Sequence, residues 1–355
     1  MTDRLDYRLF SRPEYLQELS RRVRQARPGG QVTVMSMVLE PSIPDVIDLL
    51  NALCDAAVRG VRVTLIIDGF SFLLSEESRF GPLFRTGRID PNRLQPPFDE
   101  TYGLLERLRV SGGNYFIVNM PDRARTNPFS GRSHIKMGVV DDFVMLGGCN
   151  LDKMEYTDVM AGWQDARLAD WLRGLTGRIS RAGSVRQALG GQDVSHTVNA
   201  KTSLFVDSGV RGQSLIMQQA HALIDSAREL VTITCQYFPG GATGQRLLAA
   251  HRRGVKVTIH FSPPAAHGVL KPAHWLHNIR ERSRLPSSFF AGQLPAGIPK
   301  LHAKVIVTES AAMLGSHNYV QAGVRFGTAE IALLRRDPEF ARALIAKVEG
   351  QLTTS

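Results

Sequence analysis

The feature that most constrains this chain is a repeat. His134-x-Lys136 opens an apolar run that reaches Asp141, and Gly147-Gly148-Cys149-Asn150 follows. His302-x-Lys304 opens a second run that reaches Glu309, and Gly315-Ser316-His317-Asn318 follows. The copies lie 168 residues apart. With 10 histidines and eight lysines in 355 residues, about 0.2 His-x-Lys triplets are expected by chance, a guard against a false match. A pattern repeated at so long a period indicates two related domains and not a solenoid.

The similarity extends beyond the motifs. Leu9-Phe10-Ser11 leads into a helical stretch over 14–26, with Leu16, Leu19, Val23 and Ala26 on one face. A β-rich segment over 32–36, a helix over 44–58 and a buried strand over 61–67 follow. In the second half Leu204-Phe205-Val206 precedes a helix at about 213–227, a strand over 230–234, a helix at about 243–252 and a strand over 255–259. Arg59-Gly60 and Arg253-Gly254 close the matching helices, where glycine tolerates a left-handed backbone. These turns are 194 residues apart, so the first unit carries about 26 additional residues within 70–131, a region of Gly, Pro and charge clusters that predicts loops and short helices. Strands alternating with helices predict an α/β class with a mainly parallel or mixed sheet in each half. The polar connector around Gly190-Gly191-Gln192-Asp193 places the domains at 1–195, with the first motif over 134–150, and 196–355, with the second over 302–318.

Composition narrows the partners. A net charge of +10 favours anionic ones, nucleic acid or an anionic lipid surface. No apolar run approaches the roughly 18 residues of a membrane-spanning helix. The first residues lack the apolar stretch of a signal peptide, so a cytoplasmic protein is expected. Cys54, Cys149 and Cys235 have no metal-like spacing and read as reduced, buried thiols. His267, His274 and His277 have no Cys or carboxylate at ligand spacing, so no metal is expected. The Gly240–Gly244 loop reads equally as a phosphate cradle or as a strand-to-helix turn.

Alternation along a β-like run puts His and Lys of each copy on one face of a strand, with Ile135 and Ala303 turned to the core. The Asn returns after a second strand and a Gly-rich turn. Two imidazoles, two ammonium groups and two carboxamides suit a phosphodiester. Lys136, Lys304, Asn150 and Asn318, with Ser316 beside them, would bind the non-bridging oxygens where charge develops. One imidazole can attack phosphorus while the other protonates the leaving oxygen.

These paired motifs resemble the phospholipase D superfamily, whose signature is His-x-Lys-x4-Asp followed by Gly-Gly/Ser-x-Asn. Gly131-Arg132-Ser133-His134 and Gly147-Gly-Cys-Asn150 are most similar to its bacterial cardiolipin synthase and phosphatidyltransferase branch. The resemblance implies two tandem α-β-α sandwich domains related by pseudo-twofold symmetry, with the active site at their interface. It implies a covalent phosphohistidine intermediate formed without cofactor or metal, with His134 as nucleophile and His302 as general acid. It also implies a carboxylate after each motif that orients a catalytic His: Asp158, 24 residues after His134, and Glu330, 28 after His302. Asp141 and Glu309 read as structural. Glu309 stands where the family has Asp, and Gly148 where many copies have Ser.

The expected activity is phospholipid phosphodiester cleavage or phosphatidyl transfer. A metal-independent nuclease and a catalytically silent membrane or nucleic-acid binder are the alternatives. The expected partner is an anionic phospholipid or membrane surface, with nucleic acid as the alternative. A monomer is expected because both half-sites lie in one chain, peripheral at the inner face of the membrane. Residues 269–290, where Lys271, Arg280, Arg282 and Arg284 accompany Trp275, Leu276, Phe289 and Phe290, are one candidate membrane contact and read equally as a solvated helix. Phe80, Leu83 and Phe84 are another.

Overall fold

Apolar residues recurring every second position in strands, and every third or fourth in helices, can be buried together only by layering helices on sheets. The computed structural model describes residues 7–71, 97–119, 131–152, 156–261, 276, 279–290 and 300–353. It divides into two compact units. The first comprises Met1–Leu146, Asn150–Met154 and Ala161–Gly191; the second comprises Gly147–Cys149, Glu155–Met160 and Gln192–Ser355. The chain passes to the second unit at Gly191, a few residues ahead of the expected boundary at 195, which falls inside a strand of the second sheet.

The first sheet is built from β1 (Arg8–Ser11), β2 (Gln31–Ser36), β3 (Arg62–Asp68), β4 (Asn114–Val118), β5 (Met137–Val140), β6 (Phe143–Gly147) and β8 (Val159–Gln164), in the order β1-β8-β6-β5-β2-β3-β4. β2, β3 and β4 run parallel, and β5 is antiparallel to both β2 and β6. Its helices are α1 (Arg12–Gln25), α2 (Pro44–Val58), α3 (Pro97–Val110), α4 (Ala166–Ala182) and the short α5 (Val185–Ala188). The expected apolar face of α1 is in the core, with Leu16, Leu19, Val23 and Ala26 all buried. The Ser11 backbone N–H donates to Glu14 at 2.6 Å, a reciprocal cap that fixes where α1 begins.

The second sheet contains β9 (Val194–Asn199), β10 (Thr202–Asp207), β11 (Leu230–Cys235), β12 (Lys256–Phe261), β14 (Val305–Thr308), β15 (Ala312–Gly315) and β16 (Glu330–Arg335), in the order β12-β11-β14-β15-β16-β10-β9. Only β11 and β12 pair in parallel. Its helices include α6 (Leu215–Ser226), α7 (Gly241–Arg252), α8 (Gln321–Phe326) and α9 (Pro338–Thr353). Ile216, Ala220 and Ile224 of α6 and Leu247 of α7 share one core with Val231, Ile233, Ile306, Met313 and Leu334 of the strands.

Read from opposite ends, the two strand orders match over six positions, β1 with β10 through β3 with β12. Each sheet then adds one strand of its own, β4 beyond β3 in the first and β9 beyond β10 in the second. The longer segment between β3 and the first motif includes α3 and β4 among its described residues. Its helix and edge strand lie over 97–118, past the charge-rich stretch that suggested irregular structure.

Candidate active site

The motif residues sit just ahead of strands and not within them. β5 begins at Met137 and β14 at Val305, immediately after Lys136 and Lys304. This corrects the expectation of His and Lys alternating along a strand, and the cause is local. Lys136 Nζ donates to the carbonyl of His134 at 2.7 Å, and Lys304 Nζ donates to the carbonyl of His302. Each lysine thus folds back on its own motif and occupies the carbonyl that a ladder would use. Both lysines are fully buried.

The second unit shows how an acid is delivered to a histidine. The short strands β7 (Tyr156–Thr157) and β13 (Lys300–Leu301) form a two-stranded parallel ribbon, with Leu301 opposite Thr157. The Thr157 carbonyl accepts from the backbone N–H groups of His302 (2.8 Å) and Ala303 (3.0 Å). The next residue, Asp158, then places Oδ2 2.5 Å from His302 Nδ1. Its other oxygen accepts from the Val159 N–H at 2.8 Å. Burial pushes the Asp158 carboxyl up, but the charge and hydrogen bond of His302, the Lys304 ammonium and the Val159 N–H outweigh it and hold the carboxyl at about 2. A carboxylate on Nδ1 fixes tautomer and ring orientation, so proton exchange falls to Nε2.

Lys304 feels the opposite balance. Burial lowers its ammonium to about 8, against the pull of Asp158 and Glu330. Glu330 is buried and accepts a hydrogen bond from the Ser316 hydroxyl. Ser316 also accepts from the Ile331 N–H at 3.0 Å, so this hydroxyl, a candidate phosphate ligand by sequence, is engaged with Glu330 and the β16 backbone. Gly148 occupies the matching place in the first motif. A side chain there would run into Asp158, so the shorter acid packs on bare backbone. The motif's first glycines are equally constrained. A Cβ on Gly147 would strike the Val159 carbonyl, and one on Gly315 the Ile331 carbonyl.

In the first unit His134 is half-buried and Asn150 buried. Asn150 leaves the end of β6 on a turn held by Arg12, whose buried guanidinium donates to the Asn150 carbonyl at 3.2 Å and pairs with Asp152. Leu151 N–H donates to Ser36 Oγ and to the Val38 carbonyl, each at 3.2 Å. In the second unit Asn318 follows β15, and the adjoining Tyr319 adopts a left-handed backbone (φ 52°) and donates from its hydroxyl to the Lys304 carbonyl at 3.4 Å. The carboxamide oxygens of Asn150 and Asn318 are both buried without a hydrogen-bond partner among the described residues.

Asp141 and Glu309 are structural, as expected. Asp141 accepts from the Gln31 N–H at 2.9 Å, where β2 begins. Glu309 accepts from the N–H groups of Arg228, Glu229 and Leu230 at 3.1–3.3 Å, where β11 begins. The longer acid reaches more of the chain, so replacing Asp costs the second motif no bracing. Sequence reasoning did not single out Arg12, Thr157 or Tyr319. Arg12 reads as an ordinary first helical residue, and Thr157 acts through its carbonyl, which carries no sequence signal.

Among the described residues no group of His, Cys, Asp and Glu could hold a metal ion, and no helix is long and apolar enough to cross a membrane. His267, His274, His277, Phe80, Leu83 and Phe84 lie outside the described residues, as does much of 269–290. Within the described part, Leu276 and Ile279 are exposed, and the Arg282 guanidinium lies 4.9 Å over the Phe290 ring.

A family model described as a cardiolipin synthase, PLD-like domain matches residues 221–351. Among solved structures, phosphatidylserine synthase from Haemophilus influenzae Rd KW20 is similar over 97% of this chain and 85% of its own, with TM-score 0.70 and 16% identity. A polyphosphate kinase from Porphyromonas gingivalis is similar over 98% of this chain but 50% of its own, with TM-score 0.59 and 14% identity. At such identities the likeness is one of fold. No curated protein matches the sequence. The matched domain covers the second His-x-Lys motif and most of the second sheet, and the doubled motif and the second mixed seven-stranded sheet extend that likeness to the first half of the chain.

Proposed function

We propose that this chain cleaves or transfers phosphatidyl groups of phospholipids through a phosphohistidine, in the manner of a cardiolipin synthase. The observation that carries the reading is the Asp158–His302 pair at 2.5 Å beside the buried Lys304. An imidazole anchored through Nδ1 is suited to give a proton to a leaving oxygen and later to take one back. In the proposed sequence His134 attacks phosphorus, a P–N bond forms and the P–O bond to the leaving alcohol breaks, with His302 protonating that alcohol. Water or a second alcohol then gives its proton to His302 and attacks phosphorus, releasing His134. Lys136 and Lys304 neutralise the non-bridging oxygens, Asn150 and Asn318 hold them through their amide N–H groups, and Glu330, which accepts from Ser316, is the acid of the second copy. The name of the similar phosphatidylserine synthase favours phosphatidyl transfer, and the net charge of +10 favours an anionic lipid surface at which a monomer would act.

The test incubates purified protein with phosphatidylglycerol vesicles, with and without added glycerol, and separately with plasmid DNA, all in EDTA. Lipid products absent in both His134→Ala and His302→Ala are expected. A new phospholipid instead of phosphatidic acid would identify transfer. DNA nicking without lipid turnover would replace the reading by a nuclease. Turnover of either substrate surviving in both variants would overturn the mechanism.

A further inference from the structure

The first motif has a buried support that the catalytic reading does not use. Asp68 ends β3 and its side chain is wholly enclosed. Its Oδ1 accepts from the Phe70 N–H at 2.8 Å and faces Arg132 Nη1 at 3.4 Å. Its Oδ2 accepts from Asn119 Nδ2 and from the Ser133 N–H, both at 2.7 Å. Arg132, itself buried, also donates to the Asn119 carbonyl at 2.7 Å. Asn119 is held in turn: its N–H donates to the Gly183 carbonyl at 2.9 Å, and its backbone is left-handed (φ 53°).

Four donors on one carboxylate, two of them from the residues directly ahead of His134, fix that stretch of main chain. A buried carboxylate is retained only when so satisfied. No carboxylate stands at the matching place in the sequence of the second half. Matching Arg59-Gly60 to Arg253-Gly254 puts Ser262 opposite Asp68, while Lys300 precedes His302 as Arg132 precedes His134. The backbone N–H of His302 is held by the Thr157 carbonyl of the β7–β13 ribbon. The Asp68 network reaches His134 through the two residues ahead of it.

We propose that Asp68 is a positioning residue for His134, acting through Arg132 and the Ser133 backbone; this rests on the catalytic role given to His134 above. Misplacing a reacting group by about 1 Å costs on the order of 100-fold in rate. Asp68→Asn presents an amide N–H to donors and should lower kcat for phosphatidylglycerol by about that factor, with KM within about threefold. Arg132→Gln should do the same. The double variant should be no worse than the more damaged single, because both break one unit. Thermal midpoints measured alongside separate folding from turnover, since two independent structural losses would add. Asn119→Ala keeps the ion pair and is the milder variant should Asp68→Asn not fold; a kcat loss of about tenfold is expected. Wild-type kcat in the folded variant, or a loss carried by KM alone, overturns the proposal. Turnover retained in His134→Ala would instead remove the reading on which it rests.

Discussion

The two motif copies keep the same residues at their centres and differ in what surrounds them. In both, lysine turns back onto its histidine carbonyl, and an acid at the end of the run ties the hairpin to the start of the neighbouring strand. They diverge where the downstream acid must be seated. Asp158 rests against a glycine, and the longer Glu330 meets a serine hydroxyl. A short acid with no opposing side chain and a long acid with a small polar one are two ways to fill a similar space. Close packing allows such exchanges only in pairs. The His, Lys and Asn of the motif recur in both copies, whereas the seats of the downstream acids differ in volume and hydrogen bonding together.

The largest break in this comparison should come from Asp158→Asn, which leaves the His302 site full but removes the charge. A fall in kcat of about 10³–10⁴-fold with little change in KM is expected, as for the acid of a histidine triad. Steady-state kinetics showing less than about tenfold would mean the carboxylate does not orient the ring. The same variant tests acid stability. The Asp158 carboxyl is held at about 2, below the ordinary value of roughly 3.9. Its contribution is therefore complete above about pH 4 and lost as pH falls towards 2. Wild type and Asp158→Asn should differ in denaturation midpoint at neutral pH and converge only below about pH 2.

Gly148→Ser probes the seat itself. Its side chain would overlap the Asp158 carboxylate, and overpacking of this kind costs about 1–3 kcal/mol. A kcat loss of about 100-fold is expected from displacing the acid. Combining Gly148→Ser with Asp158→Glu rebuilds the second copy's pairing and should be less damaging than the sum of the singles. An additive result would show that the two seats are not equivalent.

A smaller effect separates activity from stability at high pH. Lys304 titrates at about 8 in the folded protein and near 10.4 when unfolded. Between those values the unfolded chain binds more protons, so this residue's contribution to stability rises with pH. Activity that needs the ammonium falls over the same interval. kcat/KM should drop with an apparent pKa of about 8 while the thermal midpoint gains from this residue, and the gain should be missing in Lys304→Met. An alkaline limb starting only near pH 10 would exclude Lys304 as the charged phosphate ligand.

The mildest contrast is between the structural acids. Glu309→Ala releases three N–H groups and Asp141→Ala one. Because Glu309 is largely solvated, the expected loss is about 1 kcal/mol for Glu309→Ala and about half that for Asp141→Ala, with turnover unchanged. Urea denaturation would rank them; a reversed order would mean that the extra reach of Glu309 adds nothing.

Much of this was legible in the sequence because it depends on pattern. The face of α1, the Arg-Gly helix ends and the strands β2, β3, β11 and β12 follow from periodicity and turn chemistry. The His, Lys and Asn residues follow from repetition. What could not be read depends on backbone atoms and on distant pairings. That Asp158 serves His302, and not the histidine 24 residues before it, requires the β7–β13 ribbon, and two-residue strands leave no periodicity. The engagement of Ser316 with Glu330 needed side-chain directions. Asp68 stood unremarked at the end of an apolar strand because the partners that tie it to the motif lie 51 and more residues away.

The ribbon has a genetic consequence. The segment Glu155–Met160 is encoded in the first half yet packs with the second. A gene cut at the junction near Gly191 would yield a carboxy-terminal fragment that retains its His-x-Lys motif but has lost the carboxylate that orients it. However the duplication arose, the descendant can no longer be returned to two self-sufficient parents by a single cut. Any split version would have to duplicate this short piece or rely on the two fragments finding each other.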